Sequence, residues 1–98
     1  MTGAARNLSV LHPYVVRTEG TCGGRARIDG TRIPVWMIVS VIVRGGSTPE
    51  EFVEQYPHLD LARVHDALSY YYDHRTEIQR DLRDQGTAWR ARSRPRSR

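Results

Sequence analysis

The longest apolar segment of the chain covers residues 35–43, directly after Pro34, and is interrupted only by Ser40. Its length is about half of the roughly 20 residues that a helix needs to cross a bilayer, so it predicts a buried core element and not a membrane span. Pro34 fits the start of a helix, and Gly45-Gly46 fits its end. We therefore predict a deeply buried helix 1 over residues 35–44, although its many β-branched residues leave a buried strand as the alternative.

A β-hairpin is predicted before this helix. Residues 14–18 are rich in β-forming side chains and predict a first strand. Residues 25–28 and 31–35 alternate polar and apolar side chains on either side of Asp29-Gly30, which predicts a two-residue type I′ turn. Because Pro34 has no N–H to donate to a ladder, the second arm ends there or lies at an edge.

Two further helices follow the glycines. Ser47 or Thr48 caps helix 2, since each lies three residues before a glutamate that can complete a capping box. Helix 2 starts at Pro49 and runs to about Gln55. A short Tyr-Pro-His-Leu turn then leads to helix 3, for which Asp60 is the predicted N-cap.

Helix 3 is predicted to be long. Its core-facing stripe follows helical spacing and consists of Leu61, Val64, Leu68, Tyr71, Ile78 and Leu82. The stripe extends the helix to about Gln85, and a helix of about 26 residues is roughly 39 Å long. Helices 1 and 2 are too short to cover that length, so we expect Ile78 and Leu82 to be exposed and to pack on another chain. A homodimer built from the hairpin and helix 3 follows as a prediction.

The positive charge of the chain is concentrated at one end. The formal charge is +4, yet residues 1–85 contain ten arginines and eleven acidic residues, whereas residues 86–98 contain five arginines and no acid. We therefore predict a flexible N-terminus over residues 1–12, a hairpin and helix-turn-helix domain over 13–85, and an Arg-rich tail over 86–98. Bulk charge does not make the body a nucleic-acid-binding surface.

The predicted fold is mainly α, with an N-terminal β-hairpin followed by a three-helix helix-turn-helix unit, a long third helix and a basic tail. In such units the third helix presents its first turns to the DNA major groove. The candidate DNA-binding residues are Arg25, Arg27, Arg32, Arg44 and Arg63. On helix 3, Asp66, Tyr70 and Asp73 also point away from the core, and the two carboxylates disfavour phosphate unless cations flank them.

Structural roles remain open for two of these arginines. Arg32 either contacts DNA or a protein partner, or pairs with an acid such as Asp29 and stabilises the hairpin. Arg63 either reads the groove or is a solvated side chain on an amphipathic helix.

Other chemistries are disfavoured. Cys22 is the only cysteine, which excludes an intramolecular disulfide, and the N-terminus lacks the apolar core of a secretory signal. The histidines lack the helical spacing of a metal site, and no nucleophile–base set or carboxylate pair has usable spacing. We therefore expect a cytoplasmic binding protein, not an enzyme, with neither a metal nor another cofactor.

Short strings spread along the chain carry a family resemblance. They are Cys22-Gly23-Gly24, Ile28-Asp29-Gly30-Thr31-Arg32-Ile33-Pro34-Val35, Gly45-Gly46-Ser47-Thr48-Pro49-Glu50-Glu51, Tyr56-Pro57 and residues 64–74. Over about residues 12–78 the sequence resembles the domain-of-unknown-function family 433. The resemblance implies a helix-turn-helix antitoxin of a type II toxin–antitoxin module, which binds operator DNA, neutralises a PIN-like ribonuclease toxin and has no catalytic activity. The Arg-rich extension is not part of the family pattern.

Two functions are therefore expected. The first is an antitoxin that dimerises, binds its operator and caps a PIN-like ribonuclease toxin. The second is a helix-turn-helix regulator without a toxin partner. Because metal-dependent nucleases gather carboxylates around divalent ions, an apolar anchor followed by arginines would suit such a toxin. The candidate partner-binding residues are Ile78, Leu82, Trp89, Arg90, Arg92 and Arg94.

Overall fold

Two short antiparallel strands open the fold in the computed structural model, which describes residues 11–86. Strand β1 (Val15–Val16) pairs with strand β2 (Arg27–Ile28) in the register Val15↔Ile28 and Val16↔Arg27. The connection between them contains a 3-10 turn over Cys22–Gly24. The prediction of two paired arms on either side of Asp29-Gly30 is therefore wrong: the paired strands are β1 and β2, and only a single bridge, between Arg27 and Pro34, forms across that turn.

The Asp29-Gly30 turn lies at the predicted position but has a different geometry. The Thr31 N–H donates to the Ile28 carbonyl (3.1 Å), and the Ile28 N–H donates to the Ile33 carbonyl (3.0 Å). Gly30 has a φ of +80°, whereas the φ of Asp29 is not positive. The type I′ prediction is therefore wrong, since that turn needs a positive φ at both central residues, and these signs are those of a type II turn. The Thr31 hydroxyl stabilises the observed turn by donating to the Ile28 carbonyl (2.8 Å).

Helix α1 occupies the predicted position and lies in the core. It is α-helical over Val35–Val39 and continues as a π-helix over Ser40–Arg44, so the alternative of a buried strand is excluded. Four of the first five side chains are buried, which accounts for a sequence that is apolar on all sides. At Gly45, where the helix ends, a Cβ atom would lie 2.6 Å from the Val41 carbonyl oxygen, so a larger residue would clash.

Helix α2 (Pro49–Gln55) begins with a complete capping box. The Glu51 N–H donates to the Thr48 hydroxyl oxygen (3.0 Å), and the Thr48 N–H donates to the Glu51 carboxylate (2.9 Å). Thr48, and not Ser47, is therefore the N-cap. The side chain that α2 buries is Phe52.

Helix α3 (Leu61–Asp73) begins at the predicted cap, Asp60, whose carboxylate accepts the Arg63 N–H (2.9 Å). Its buried side chains are Val64, Ala67 and Tyr71, and the helix packs against α1. The predicted core stripe was partly wrong at its start, because Leu61 is 40% exposed.

The prediction of one long third helix up to Gln85 is wrong. The chain leaves the helical conformation at His74, where φ is −136° and ψ is 49°. A fourth helix, α4, then starts; it is α-helical over Arg75–Asp81 and π-helical over Leu82–Gly86.

The break at His74 returns α4 to α1 of the same chain. Ile78 and Leu82 are buried in the shared core, with exposed fractions of 0% and 4%. Burying an aliphatic side chain of this size contributes roughly 1.5–3 kcal/mol, which a straight helix would lose unless another chain covered it. The expectation that these two residues are exposed is therefore wrong, and the homodimer prediction loses the observation on which it was based.

One apolar cluster joins the hairpin to all four helices within residues 11–86. Its members are Ala26, Ile28, Ile33, Val35, Trp36, Ile38, Val39, Phe52, Leu59, Val64, Ala67, Tyr71, Ile78 and Leu82. None of the helices in this part of the chain combines the length and the apolar character that crossing a bilayer requires.

Candidate functional site

Arg27, a predicted DNA contact, is instead a buried structural residue of the hairpin. Its exposed fraction is 9%. The guanidinium donates to the Thr18 hydroxyl (2.7 Å) and to the Thr31 carbonyl (3.1 Å), so it ties the β1–β2 loop to the Asp-Gly turn. A guanidinium engaged in this way is not available to a phosphate group.

Arg25 is also engaged within the fold. Its Nε lies 3.3 Å from Oδ1 of Asp81, a carboxylate of α4 that is almost fully buried. Burial raises the pKa of the Asp81 carboxyl above its ordinary value of 3.8, and the nearby charge of Arg25 opposes that shift. Arg25, a predicted DNA contact, therefore links the end of the glycine-rich loop (residues 20–24) to α4, and its side chain keeps 26% of its surface exposed.

Arg63 is held at the start of α3 by two neighbours. Its guanidinium pairs with the Asp60 carboxylate and lies 4.6 Å from the centre of the Tyr14 ring. The side chain keeps 38% of its surface exposed. Arg63 is thus reachable from solvent, but part of its charge is already compensated.

Arg32 and Arg44 are exposed. Within residues 11–86 neither guanidinium takes part in an ion pair, so the alternative pairing of Arg32 with Asp29 is not found there. Of the five predicted DNA contacts, these two are the arginines that the described fold leaves uncommitted.

The N-terminal segment of the described chain, residues 11–14, contacts one flank of α3. His12, which the predicted boundary places in a flexible N-terminus, is 8% exposed. One ring nitrogen lies 2.8 Å from a carboxylate oxygen of Asp73 and the other lies 3.5 Å from Asp66. The Tyr14 N–H donates to the same Asp66 side chain (2.8 Å). The two carboxylates that were expected to face a DNA groove therefore contact the protein's own N-terminal segment.

A series of side-chain contacts extends from His12 through aromatic rings to α4. The His12 ring meets the Tyr70 ring edge to face (5.2 Å between centroids), and Tyr70 stacks on His74 (4.1 Å). The Tyr70 hydroxyl donates to Glu77 (3.0 Å), which also pairs with Arg17. Desolvation raises the pKa of Tyr70, so the phenol remains a neutral donor.

Although histidines and carboxylates meet here, no group of three or more such side chains within residues 11–86 is placed to hold a metal ion.

A different face of α3 is accessible to a partner. Ala62, His65, Ser69 and Tyr72 are all exposed, and their spacing of three, four and three residues places them on one stripe. These four side chains carry no formal charge. Two charged residues lie beside them: Asp73, four residues after Ser69 and 58% exposed, and Arg75, whose guanidinium lies 5.9 Å from the centre of the Tyr72 ring.

The sequence interpretation missed this stripe. Its members are polar or small, so they produce no apolar periodicity. Their helical spacing is nonetheless visible in the sequence once the core-facing positions are set aside. The burial of Asp66 against Tyr14, by contrast, has no local signal in the sequence.

The fold places this chain in the class of small, mainly helical proteins. Its described part is a two-strand antiparallel hairpin followed by four helices, with a short turn between α2 and α3. The chain belongs to the family described as "Protein of unknown function (DUF433)", whose sequence profile matches residues 15–71. The match runs from β1 to near the end of α3 and confirms the resemblance seen in the sequence.

A solved structure supports the same assignment. The chain is similar to a DUF433 member protein from Anabaena variabilis, whose crystal structure was determined at 2.00 Å resolution. The two sequences are 34% identical, the TM-score is 0.68, and the similarity covers 81% of this chain and 77% of the other. Among curated proteins, none matches this sequence.

Proposed function

We propose that this protein is a helix-turn-helix antitoxin of a type II toxin–antitoxin module, which acts in the cytoplasm on its operator DNA and on a PIN-like ribonuclease toxin. The observation that carries the DNA-binding half is the exposed, uncharged stripe on α3, since α3 is the second helix of the α2–turn–α3 pair. The antitoxin half is supported by the role that the family resemblance implies.

The composition of the stripe suits base edges better than phosphates. A His65 ring nitrogen and the Ser69 hydroxyl can donate to or accept from bases, and the Ala62 methyl group can contact a thymine methyl. Arg63 and Arg75 lie next to the two ends of the stripe in the sequence and can contact phosphates, although Asp60 compensates part of the Arg63 charge. We therefore assign base reading to the uncharged residues and positioning on the backbone to the arginines.

This assignment is tested by the affinity for two duplexes of equal length, one from directly upstream of the gene and one with a shuffled sequence. His65→Ala and Ser69→Ala should each remove about 1–3 kcal/mol of discrimination between them. His58→Ala and Ser47→Ala, matched changes outside α3, should leave discrimination unchanged. Arg63→Ala should weaken binding to both duplexes equally. If the two α3 variants behave like their controls, α3 does not read the operator.

The toxin-binding half rests on the Arg-rich tail. Ile78 and Leu82 are buried in the core, and the other candidates, Trp89, Arg90, Arg92 and Arg94, lie outside the residues that the structure describes. A guanidinium pairs bidentately with a carboxylate, and a metal-dependent nuclease site supplies carboxylates. We propose that tail arginines compete with the metal ion at the toxin's acidic site.

Removing the tail should abolish neutralisation of the toxin. A chain that ends at Gln85 and a full-length chain with Arg90, Arg92 and Arg94 changed to Gln should both fail to inhibit RNA cleavage by the proposed PIN-like ribonuclease partner. The Gln variant keeps the length of the tail but removes three of its charges. Comparing it with the shortened chain shows whether inhibition needs the charges or only the presence of the tail. Full inhibition by the shortened chain would show that the toxin is held by the body of the protein.

A regulator without a toxin partner is the second candidate function. It is favoured by the burial of Ile78 and Leu82, because the apolar anchor expected for a toxin is absent from the described surface of α4. The neighbouring reading frame separates the two: a frame of about 110–150 residues (on the order of one domain) with scattered Asp and Glu favours the antitoxin.

A further inference from the structure

A cleft of about 390 Å³ opens beside the glycine-rich loop. Apolar side chains and loop residues both line it: Cys22, Gly23, Arg25, Arg32, Pro34, Trp36, Met37 and Gln85. Pro34, Trp36 and Met37 supply apolar surface, whereas two of the other residues are arginines. Gln85 lies in the π-helical end of α4, so the chain leaves the described fold at the edge of this cleft.

The sequence after Gln85 has a pattern that fits such a cleft. Residues 86–89 are uncharged and end in Trp89, the one large apolar side chain of the tail, and the first tail arginine follows it. Four residues span at most about 14 Å when fully extended, which is enough to return Trp89 to a cleft that Gln85 itself lines. An indole side chain buries roughly 150–250 Å² when it is enclosed, so exposure would be costly.

We propose that Trp89 of the same chain occupies this cleft and anchors the Arg-rich tail to the body. The charge pattern supports this occupant, because Arg25 and Arg32 on the rim repel the arginines of the tail but not its uncharged first residues. The short connection also favours the chain's own Trp89 over that of a second copy, since it produces a high effective concentration. The proposal concerns the position of the tail and does not depend on an antitoxin role.

Cys22, the only cysteine of the chain, lies in the cleft and provides a direct test. In an Ala88→Cys variant, mild oxidation should link residue 88 to Cys22 within one chain, detected by mass and by mobility on a non-reducing gel. Adding Trp89→Ala should slow this reaction about tenfold, equivalent to about 1.4 kcal/mol of docking free energy. A Ser97→Cys variant, with the new thiol far along the tail, should react at the slow rate.

The outcomes separate the possible occupants. Equal rates with and without Trp89 would overturn the proposal, since the thiols would then meet by diffusion of the tail alone. A predominantly intermolecular disulfide would overturn it in favour of a second copy's tail. These changes lie in the tail or beyond α4, so they leave the core of the body intact.

A second measurement keeps the docking testable without a disulfide. In a Trp36→Phe variant Trp89 is the only tryptophan, so its fluorescence reports its surroundings directly. We expect a blue-shifted emission that acrylamide quenches poorly, and an added Met37→Arg change should shift the emission to that of a solvated indole. Emission equal to that of a solvated indole before the Met37 change, in a variant with native circular dichroism, would overturn the proposal.

Discussion

At the scale of single residues, burial separates the arginines into two groups that the sequence does not distinguish. Arg27 and Arg25 are used inside the molecule, one by hydrogen bonds in the hairpin and one by an ion pair with buried Asp81. Arg32 and Arg44 are exposed and remain available to an anionic partner. Because a planar guanidinium has five donors, a buried arginine can satisfy several carbonyl and hydroxyl oxygens at once.

Arg27→Ala should destabilise the protein by about 2–4 kcal/mol, because the Thr18 and Thr31 oxygens lose a charged donor and a buried space is left. Arg27→Lys should recover only part of the lost stability. The ammonium group restores a charged donor, but it cannot reach both oxygens with the fork geometry of a guanidinium. The measurement is the free energy of unfolding in urea, with exposed Arg32→Ala as the matched control, expected to change stability by no more than about 0.5 kcal/mol. Equal effects of the two alanine changes would show that Arg27 is not structural.

At the scale of elements, two arrangements determine which face of α3 is accessible. The break at His74 sends α4 back to α1, and the segment with His12 and Tyr14 covers Asp66 on one flank of α3. The same segment contacts Asp73, which stays 58% exposed. Together with the core, these contacts leave the stripe from Ala62 to Tyr72 as the exposed face. The helix that would read DNA is thus oriented by contacts outside the helix-turn-helix pair.

His12→Ala should loosen the N-terminal segment without unfolding the helices. The substitution removes the side chain that lies between Asp66 and Asp73, and the Tyr14 amide, which donates to Asp66, should then exchange its hydrogen about tenfold faster. Hydrogen exchange followed by NMR measures this rate, with amides of α1 as the internal reference. His58→Ala, a histidine change in the exposed α2–α3 turn, should leave the Tyr14 rate unchanged; an unchanged rate in His12→Ala itself would contradict the covering role.

At the scale of the whole molecule, the chain encloses the apolar surface that was expected to lie in a dimer interface. Ile78 and Leu82 complete a core shared with α1, so the fold does not need a second chain to cover them. The proposed DNA binding supplies a separate reason to expect a dimer. Helix-turn-helix proteins usually bind two half-sites about one helical turn apart, which requires two copies.

We therefore predict that operator DNA stabilises a dimer of this chain. Sedimentation with the upstream duplex at micromolar concentration should show two protein chains of 11.3 kDa per duplex. His65→Ala should reduce this species, whereas His58→Ala should not. A single chain per duplex at saturation would contradict the dimer and the two-half-site arrangement together.

Elements with local sequence signals could be predicted from the amino-acid sequence. The cap Asp60, the position of the Asp29-Gly30 turn and the apolar helix α1, preferred over a buried strand, were predicted and are confirmed. The cap of α2 was predicted as Ser47 or Thr48, and the structure selects Thr48. Each depends on side chains and backbone groups only a few residues apart, so the neighbouring sequence contains the whole interaction.

Tertiary structure alone decided the end of α3, the burial of Arg27 and the covered flank that carries Asp66. The hydrogen bond between His12 and Asp73 joins residues 61 positions apart, and that between Tyr14 and Asp66 spans 52. Ile78 lies on an apolar stripe whether α3 continues straight or breaks at His74. The helical spacing of the apolar residues therefore cannot show where the helix ends. The outcome depends on whether α1 of the same chain can cover that stripe, which is a property of the packed core and not of any local segment.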